Sequence, residues 1–410
     1  MARLVTCGGE LIVGSPQEAP AGFTGSVSST FSNVRTGTSA ISCADTTGSQ
    51  ASFITLRAAP AVAASTTLYA RVYLRASTGL PASSSQVVAL SGAVSARLTS
   101  AGKLQLWNES GTPAQIGSNS VATVTTGAYS RVELQLTANA STQITATELR
   151  LDGATVASTS GLAIAASTST LSAGWVTTPA NHATVLLDDV AVNDSTGAAN
   201  NSWPGDGHAI LLLPTADSAV GTGWTLGTGT AIAGNGWDAL DHPTTGGNAD
   251  LAAGSDTLQI RNAVAAANSN YDATMQTYSA AGVPAGATIN AVTPWVDTAA
   301  PVATSAKLGT VGVVSNPAIA NANLSAVGTA GAFWSGSAAG LGGSGYKWSP
   351  GTVADAPSVT LGTAPVMRIT QVTSSTRIAI VCDMALYVDY TPAAAAAAVI
   401  PDVGMALAVT

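Results

Sequence analysis

Between residues 68 and 75 the chain alternates strictly: Leu68, Ala70, Val72 and Leu74 are apolar, while Tyr69, Arg71, Tyr73 and Arg75 are long and polar-tipped. A period of two places each set on its own face of an extended segment. This predicts a half-buried β-strand whose second face snorkels toward water. The same alternation recurs over residues 131–136 and 148–152, the latter ending in Asp152-Gly153, a tight-hairpin dipeptide. Residues 96–99 and 103–107 flank Ser100-Ala101-Gly102 and predict another hairpin. Residues 185–194 read as a strand running into a polar turn.

Beyond that strand, Asn200-Asn201-Ser202-Trp203-Pro204-Gly205-Asp206-Gly207 has the composition of a linker. The expected division is therefore a first domain over residues 1–200, a linker over 201–207 and a second domain over 208–390. The second domain opens on an apolar run, 208–214, and closes on a strand placing Ile378, Ile380, Cys382, Met384, Leu386 and Val388 on one face. Residues 391–410 are rich in Ala and Pro without a period of their own, and read as an extended arm that is disordered or ordered by a neighbouring subunit. No internal repeat of propeller or solenoid length is evident.

Composition narrows the fold class. Charged residues make up 9% of the 410, and Glu occurs only at positions 10, 18, 109, 133 and 148. Soluble helices draw on Glu, Lys, Arg and Leu for propensity and an outer charged face, so an all-α fold is excluded. Gly, Ser, Thr, Asn and Pro punctuate short Val-, Thr- and Ile-rich runs, which predicts an all-β chain of two tandem β-sandwich, jelly-roll domains plus the C-terminal arm.

The net charge of −8, with scattered cations, argues against nucleic-acid partners, because phosphate contacts need clustered Lys or Arg. No run of about 20 apolar residues is present to suggest a membrane helix. Three cysteines, Cys7, Cys43 and Cys382, form no disulfide framework, and buried thiols are expected for Cys7 and Cys43. Cys7 lies too near the start for the apolar core of a signal peptide, so synthesis in a cytoplasm with no export signal is expected.

Several stretches together resemble one family. They include Met1-Ala2-Arg3-Leu4 with Cys7-Gly8-Gly9-Glu10, the run 34–40, Tyr69-Ala70-Arg71-Val72-Tyr73, Leu104-Gln105-Leu106-Trp107, and 188–194 followed by Asn201-Ser202-Trp203-Pro204-Gly205. Over roughly residues 1–210 these are similar to the concanavalin A-like (laminin-G-like) jelly roll of minor tail proteins from phages of actinobacteria. Trp237-Asp238, Tyr346-Lys347-Trp348 and Tyr387-Val388-Asp389-Tyr390 resemble, more loosely, the β domain that often follows. The resemblance implies a virion component, a minor tail protein that assembles with other virion proteins as a homo-oligomer. A capsid decoration protein is the rival, and a glycan-active enzyme a more distant one.

Glucanases sharing this jelly roll use two closely spaced Glu on one strand. Here Glu133 and Glu148 fall on separate predicted strands, so no enzymatic activity is expected. His182, His208 and His242 stand apart from one another without metal-ligand spacing. The Gly-rich stretch 340–345 lacks the Lys-Ser/Thr of a phosphate loop.

Two ligand readings remain. Asp188, Asp189, Asn193, Asp194 and Asp206 are hard oxygen donors close in sequence, and laminin-G-like folds can hold Ca²⁺ at a sandwich rim; plain strand-end turns are the other reading. No other cofactor is expected. Trp203, Trp224, Trp237, Trp334 and Trp348 lie in Gly/Pro-rich contexts, where an exposed ring stacks on sugars of a host cell-wall polysaccharide and a buried one plugs a sandwich end or a subunit contact.

Overall fold

The computed structural model describes residues 3–9, 23–57, 63–165, 170–227, 229–241, 260–262, 269–299, 308–313, 325–326, 346–350, 354–371 and 379–393. Among them the chain is all β, apart from one 3-10 turn at Trp237–Ala239. Residues 394–410, the body of the predicted arm, lie outside the described residues, as do His242, Trp334, Ile378 and 340–345.

The first half forms two antiparallel sheets packed face to face. The larger runs in the order Ala154–Ala165, Gln143–Leu151, Tyr129–Ala138, Thr67–Ala76, Thr184–Asp194, Ala40–Ala44, Ser26–Thr30, and Arg3–Cys7 joins it along Thr184–Asp194. The smaller runs from Ala114–Ile116 through Leu104–Asn108, Val94–Leu98, Ser85–Leu90, Thr170–Trp175 and Ser52–Arg57 to Phe23–Thr24. Towards the flanks of each sheet adjacent places are held by consecutive strands, while at the centre Thr67–Ala76 beside Tyr129–Ala138 and Thr184–Asp194, and Thr170–Trp175 beside Ser85–Leu90 and Ser52–Arg57, bring together strands far apart in sequence, as in a jelly roll.

Local chemistry explains the pairings. Leu68, Ala70, Val72 and Leu74 face the core shared by both sheets, as the alternation requires. The Asp152-Gly153 turn joins Leu151 to its partner Ala154, both turn residues taking φ of 52° and 85°. Positive φ at both central positions matches the twist of the flanking strands. The 98/104 hairpin forms with Leu98 opposite Leu104. Trp175 is fully buried, and its Nε1 donates to Ala183 O at 2.9 Å. Cys7 and Cys43 are both buried, and burial pushes the Cys43 thiol far up from its ordinary value.

A second pair of sheets follows. One has the long strand Ala379–Thr391 at its centre, paired with Thr288–Ala299 on one edge and with His208–Leu212 and Ile260–Asn262 on the other. Its partner sheet includes Pro214–Val220, Asn270–Met275 and Val366–Gln371. Met384, Leu386 and Val388 share the core-facing side as their alternation predicts. The expected even face breaks beyond Met384, because a register shift between Asp297 and Thr298 skips a residue and brings Val381 into the core. A bulge of this kind is invisible to period-two counting.

Trp175→Ala is expected to lower stability by about 3–5 kcal/mol, because it opens a cavity and takes away one of the two donors to the Ala183 carbonyl, the other being Asp45 N. Denaturant unfolding of the purified protein measures it, and a loss under about 1 kcal/mol would contradict the packing described.

Candidate functional site

The outer face of the larger sheet carries the polar half of the alternation: Tyr69, Arg71, Tyr73 and Arg75 on one strand, with Tyr129, Arg131, Glu133 and Gln135 opposite. A bulge adds to it. Asp188 pairs with Tyr73 but Ala191 pairs with Arg71, so one extra residue stands between them, and Asp189 takes φ of 47°. Val190 keeps its place in the core, and the extra residue turns Asp189, like Asp188, away from it.

Residues 203–207, expected to be a plain linker, lie across this face as a strap. The Trp203 ring meets Tyr69 edge-on at 5.3 Å, and the Arg150 guanidinium sits 4.0 Å from its centre. Gly205 N donates to Glu133 Oε1 at 3.1 Å. Asp206 accepts from the Tyr73 hydroxyl and from Arg35 Nη2. The Gly207 backbone passes so close to Arg71 that a Cβ there would stand 2.0 Å from Nη1, which excludes any larger residue without displacement.

Beneath the strap the two sandwiches meet in a buried ion network. Asp389, on the central strand of the second sandwich, accepts from Arg71 Nη2 at 2.6 Å and pairs with Arg3 Nη1 at 3.0 Å; all three side chains are fully buried. Arg3 Nε also donates to Asn193 Oδ1 at 2.6 Å, and Arg71 Nε to the Asp189 carbonyl at 2.9 Å. Asn290 Nδ2 supplies a further donor to Asp389 at 2.7 Å. Burial alone would raise the Asp389 carboxyl, but Arg3, Arg71 and the Asn290 hydrogen bond together hold it at about 2. A second knot joins Arg35 to Asp189, whose other oxygen accepts from Ala209 N at 2.6 Å. His208 stacks on Tyr390 at 5.3 Å with Nδ1 2.6 Å from the Thr36 hydroxyl, and burial followed by the nearby Arg35 lowers its pKa. Gly8 N donates to the Tyr387 hydroxyl.

The expected calcium donors thus do not converge on a metal. Asp188 accepts backbone N–H groups of Arg35, Thr36 and Asp189. Asp189 and Asp206 face Arg35, Asn193 faces Arg3, and Asp194 closes a turn by accepting from Thr196 N and Oγ1. Among the described residues no group of three or more His, Cys, Asp or Glu side chains is arranged to hold a metal ion. The arginines that replace the cation come from distant strands, which sequence proximity cannot reveal. Arg71 in particular is fully buried rather than snorkelling to water.

The tryptophans also separate. Trp203 is half-buried under Arg150. Trp224 is buried in the second core against Tyr271 at 6.0 Å, so it cannot stack on a sugar. Trp237 is half-buried on its 3-10 turn, where Asp217 accepts from its backbone N–H. Trp348 lies on the strand Tyr346–Pro350, opposite Asp297, and Trp334 lies outside the described residues. Glu133 and Glu148 occupy adjacent strands, each beside its own arginine, Arg131 at 3.2 Å and Arg150 at 2.7 Å. A cleft of about 250 Å³ opens at the domain junction between Gly37 and Thr38 on one side and Ile210, Leu211 and Gln276 on the other.

No family model matches this chain, and no curated protein matches it significantly. Solved structures do match. The cellulose induced protein Cip1 is 16% identical over 45% of this chain and 88% of its own, with a TM-score of 0.33. A carbohydrate esterase from the Shiga toxin-encoding bacteriophage phi24B is 13% identical over 47% and 97%, with a TM-score of 0.34. The carbohydrate binding module CBM66 from Bacillus subtilis is 11% identical over 37% and 90%, with a TM-score of 0.25. Likeness at this level carries no argument about what this chain binds or does.

Two outcomes test the junction. Asp389→Ala leaves two guanidinium groups buried beside each other and is expected to destabilise the protein by about 3–5 kcal/mol. Acid is expected to act on the same group. With the folded carboxyl held at about 2 against an ordinary 3.8, its stabilisation is complete well above pH 4 and disappears as pH falls through 2, a loss of roughly 2 kcal/mol. Denaturant midpoints measured from pH 6 to pH 2 on wild type and Asp389→Asn check this; equal acid sensitivity in the two would contradict it.

Proposed function

We propose that this chain is a non-enzymatic structural protein of a tailed-bacteriophage particle, a minor tail component that assembles with other virion proteins and touches host cell-wall glycan. The observation that carries the reading is the junction. The carboxylates, arginines and histidine best able to support chemistry are engaged in fixing two sandwich domains in one orientation through Asp389, Arg3 and Arg71. A fixed two-domain unit suits a component that must transmit geometry through an assembly. The resemblance of residues 1–210 to phage tail jelly rolls supports the same reading. For glycan contact the support is the aromatic and polar outer face of the larger sheet, where Trp203, Tyr69 and Arg150 meet.

Antibody labelling of intact particles in negative stain is expected to mark the tail; label on the head would replace the tail assignment with capsid decoration. The purified protein is expected to be retained on host-wall polysaccharide without releasing reducing ends. Trp203→Ala or Trp237→Ala should weaken that retention, by about tenfold where a stacked ring is lost. Release of reducing ends would overturn the non-enzymatic assignment, and full retention by both variants would point to a purely scaffolding role.

A further inference from the structure

The second sandwich meets the outer face of the larger sheet, so the outer face of the smaller sheet lies on the opposite side of the first sandwich. Alternation decides what stands there. Leu98, Leu104 and Leu106 face the core, which turns Arg97, Gln105 and Trp107 outward. Cross-strand pairing sets two rows, Gln86, Arg97 and Gln105 in one and Ser95, Trp107 and Gln115 in the next. Trp107 and Gln105 are partly exposed, and Gln115 and Asn119 are exposed, so solvent reaches this patch directly.

The side chains of the patch hold one another in place. The Arg97 guanidinium lies 4.0 Å from the centre of the Trp107 ring, and its Nε and Nη2 donate to the two carboxylate oxygens of Glu109 at 2.9 and 2.6 Å. Its charge is thereby balanced where it stands, and one side of the indole is fixed. Trp107 Nε1 donates to Gln105 Oε1 at 3.0 Å. Gln105 Nε2 donates to Gln115 Oε1 at 3.2 Å and to Asn119 Oδ1 at 2.9 Å, and Gln115 Nε2 donates to the same Oδ1 at 3.0 Å. Three amides are thus linked beside one aromatic ring. Among the described residues, Asn119 Nδ2 and the Gln86 side-chain amide have no hydrogen-bond partner, so donors and an acceptor are left for a ligand.

We propose that this patch binds a neutral saccharide, with the indole against the C–H face of a pyranose ring and the amides on its hydroxyls. A sugar ring has an apolar face rimmed by groups that both donate and accept, which matches an aromatic ring beside a row of amides. An anionic polymer fits less well, because the one guanidinium of the patch is already engaged by Glu109. Side chains held in advance lose little freedom when a ligand arrives. The site goes beyond the glycan contact proposed around Trp203: it is a separate face, on the opposite sheet, with its own residues.

The test is native electrophoresis of the intact protein through gels containing dextran, galactomannan or xyloglucan, with polygalacturonate as the anionic counterpart. Retardation in at least one neutral gel is expected. Trp107→Ala should weaken it about tenfold, the worth of a stacked ring, and Trp107→Phe by less because a ring remains. Gln115→Ala and Asn119→Ala should each weaken it several-fold. Both of these positions are exposed, so wild-type unfolding midpoints are expected, and the two variants carry the test even where Trp107→Ala disturbs the sheet. Free migration in all three neutral gels, retardation by polygalacturonate alone, or undiminished retardation in the Trp107, Gln115 and Asn119 variants would overturn the site. Retardation lost in Trp203→Ala but kept in Trp107→Ala would overturn it while leaving the contact on the larger sheet standing; the reverse pattern would uphold it and remove that contact.

Discussion

A carboxylate from the second sandwich held between two guanidiniums from the first is the constraint on which the molecule's shape depends. Asp389 cannot be solvated where it stands, and neither can Arg3 or Arg71. Each ion is tolerable only while the others are present, since an isolated buried charge costs several kcal/mol. The two β domains are therefore coupled by complementarity of charge rather than by apolar area alone. The small apolar cluster at the junction, Ala209, Trp295, Ala385 and Tyr387, packs beside this network. Arg3 Nη2 finds no partner, so the network is not fully satisfied and fixes orientation more than it adds strength.

That constraint decides the rest of the outer face. With Arg71 committed downward, the strap must pass close above it, which requires glycine at position 207. Proximity of the strap then sets Asp206 on Tyr73 and Arg35, and Trp203 on Tyr69 and Arg150. Burial would raise the Asp206 carboxyl, yet the Tyr73 hydrogen bond and Arg35 hold it below its ordinary value. The middle of the strand Thr67–Ala76 is thereby covered by the strap.

Much of the fold was legible in the sequence, because a half-buried strand announces itself by period two. Leu68 through Leu74 and the Asp152-Gly153 turn fall as their residue types require. What failed were positions where the period breaks. The bulge at Asp189 and the one before Met384 each insert a residue that alternation counts on the wrong side. The acidic run 188–194 drew a calcium reading because its donors are adjacent in sequence. Their partners, Arg3 and Arg35, lie more than 150 residues away along the chain, and no spacing rule reaches that far.

The same limit explains why the chain's sparse charge is informative only in three dimensions. With 36 charged side chains in 410 residues, a random scatter over two sandwiches would leave most of them isolated in water. Instead Arg3, Arg35, Arg71, Arg131 and Arg150 gather with their carboxylates on one sheet face and its junction. Desolvated ions are kept in such numbers where a geometry must be unique, because any slipped register or rotated domain leaves a charge unpaired. A sandwich surface otherwise built from Thr, Ser and Gly has few ways to reject a wrong neighbour. Placing Asp389 between Arg3 and Arg71 at the boundary of the two sandwiches favours a single way for its halves to meet.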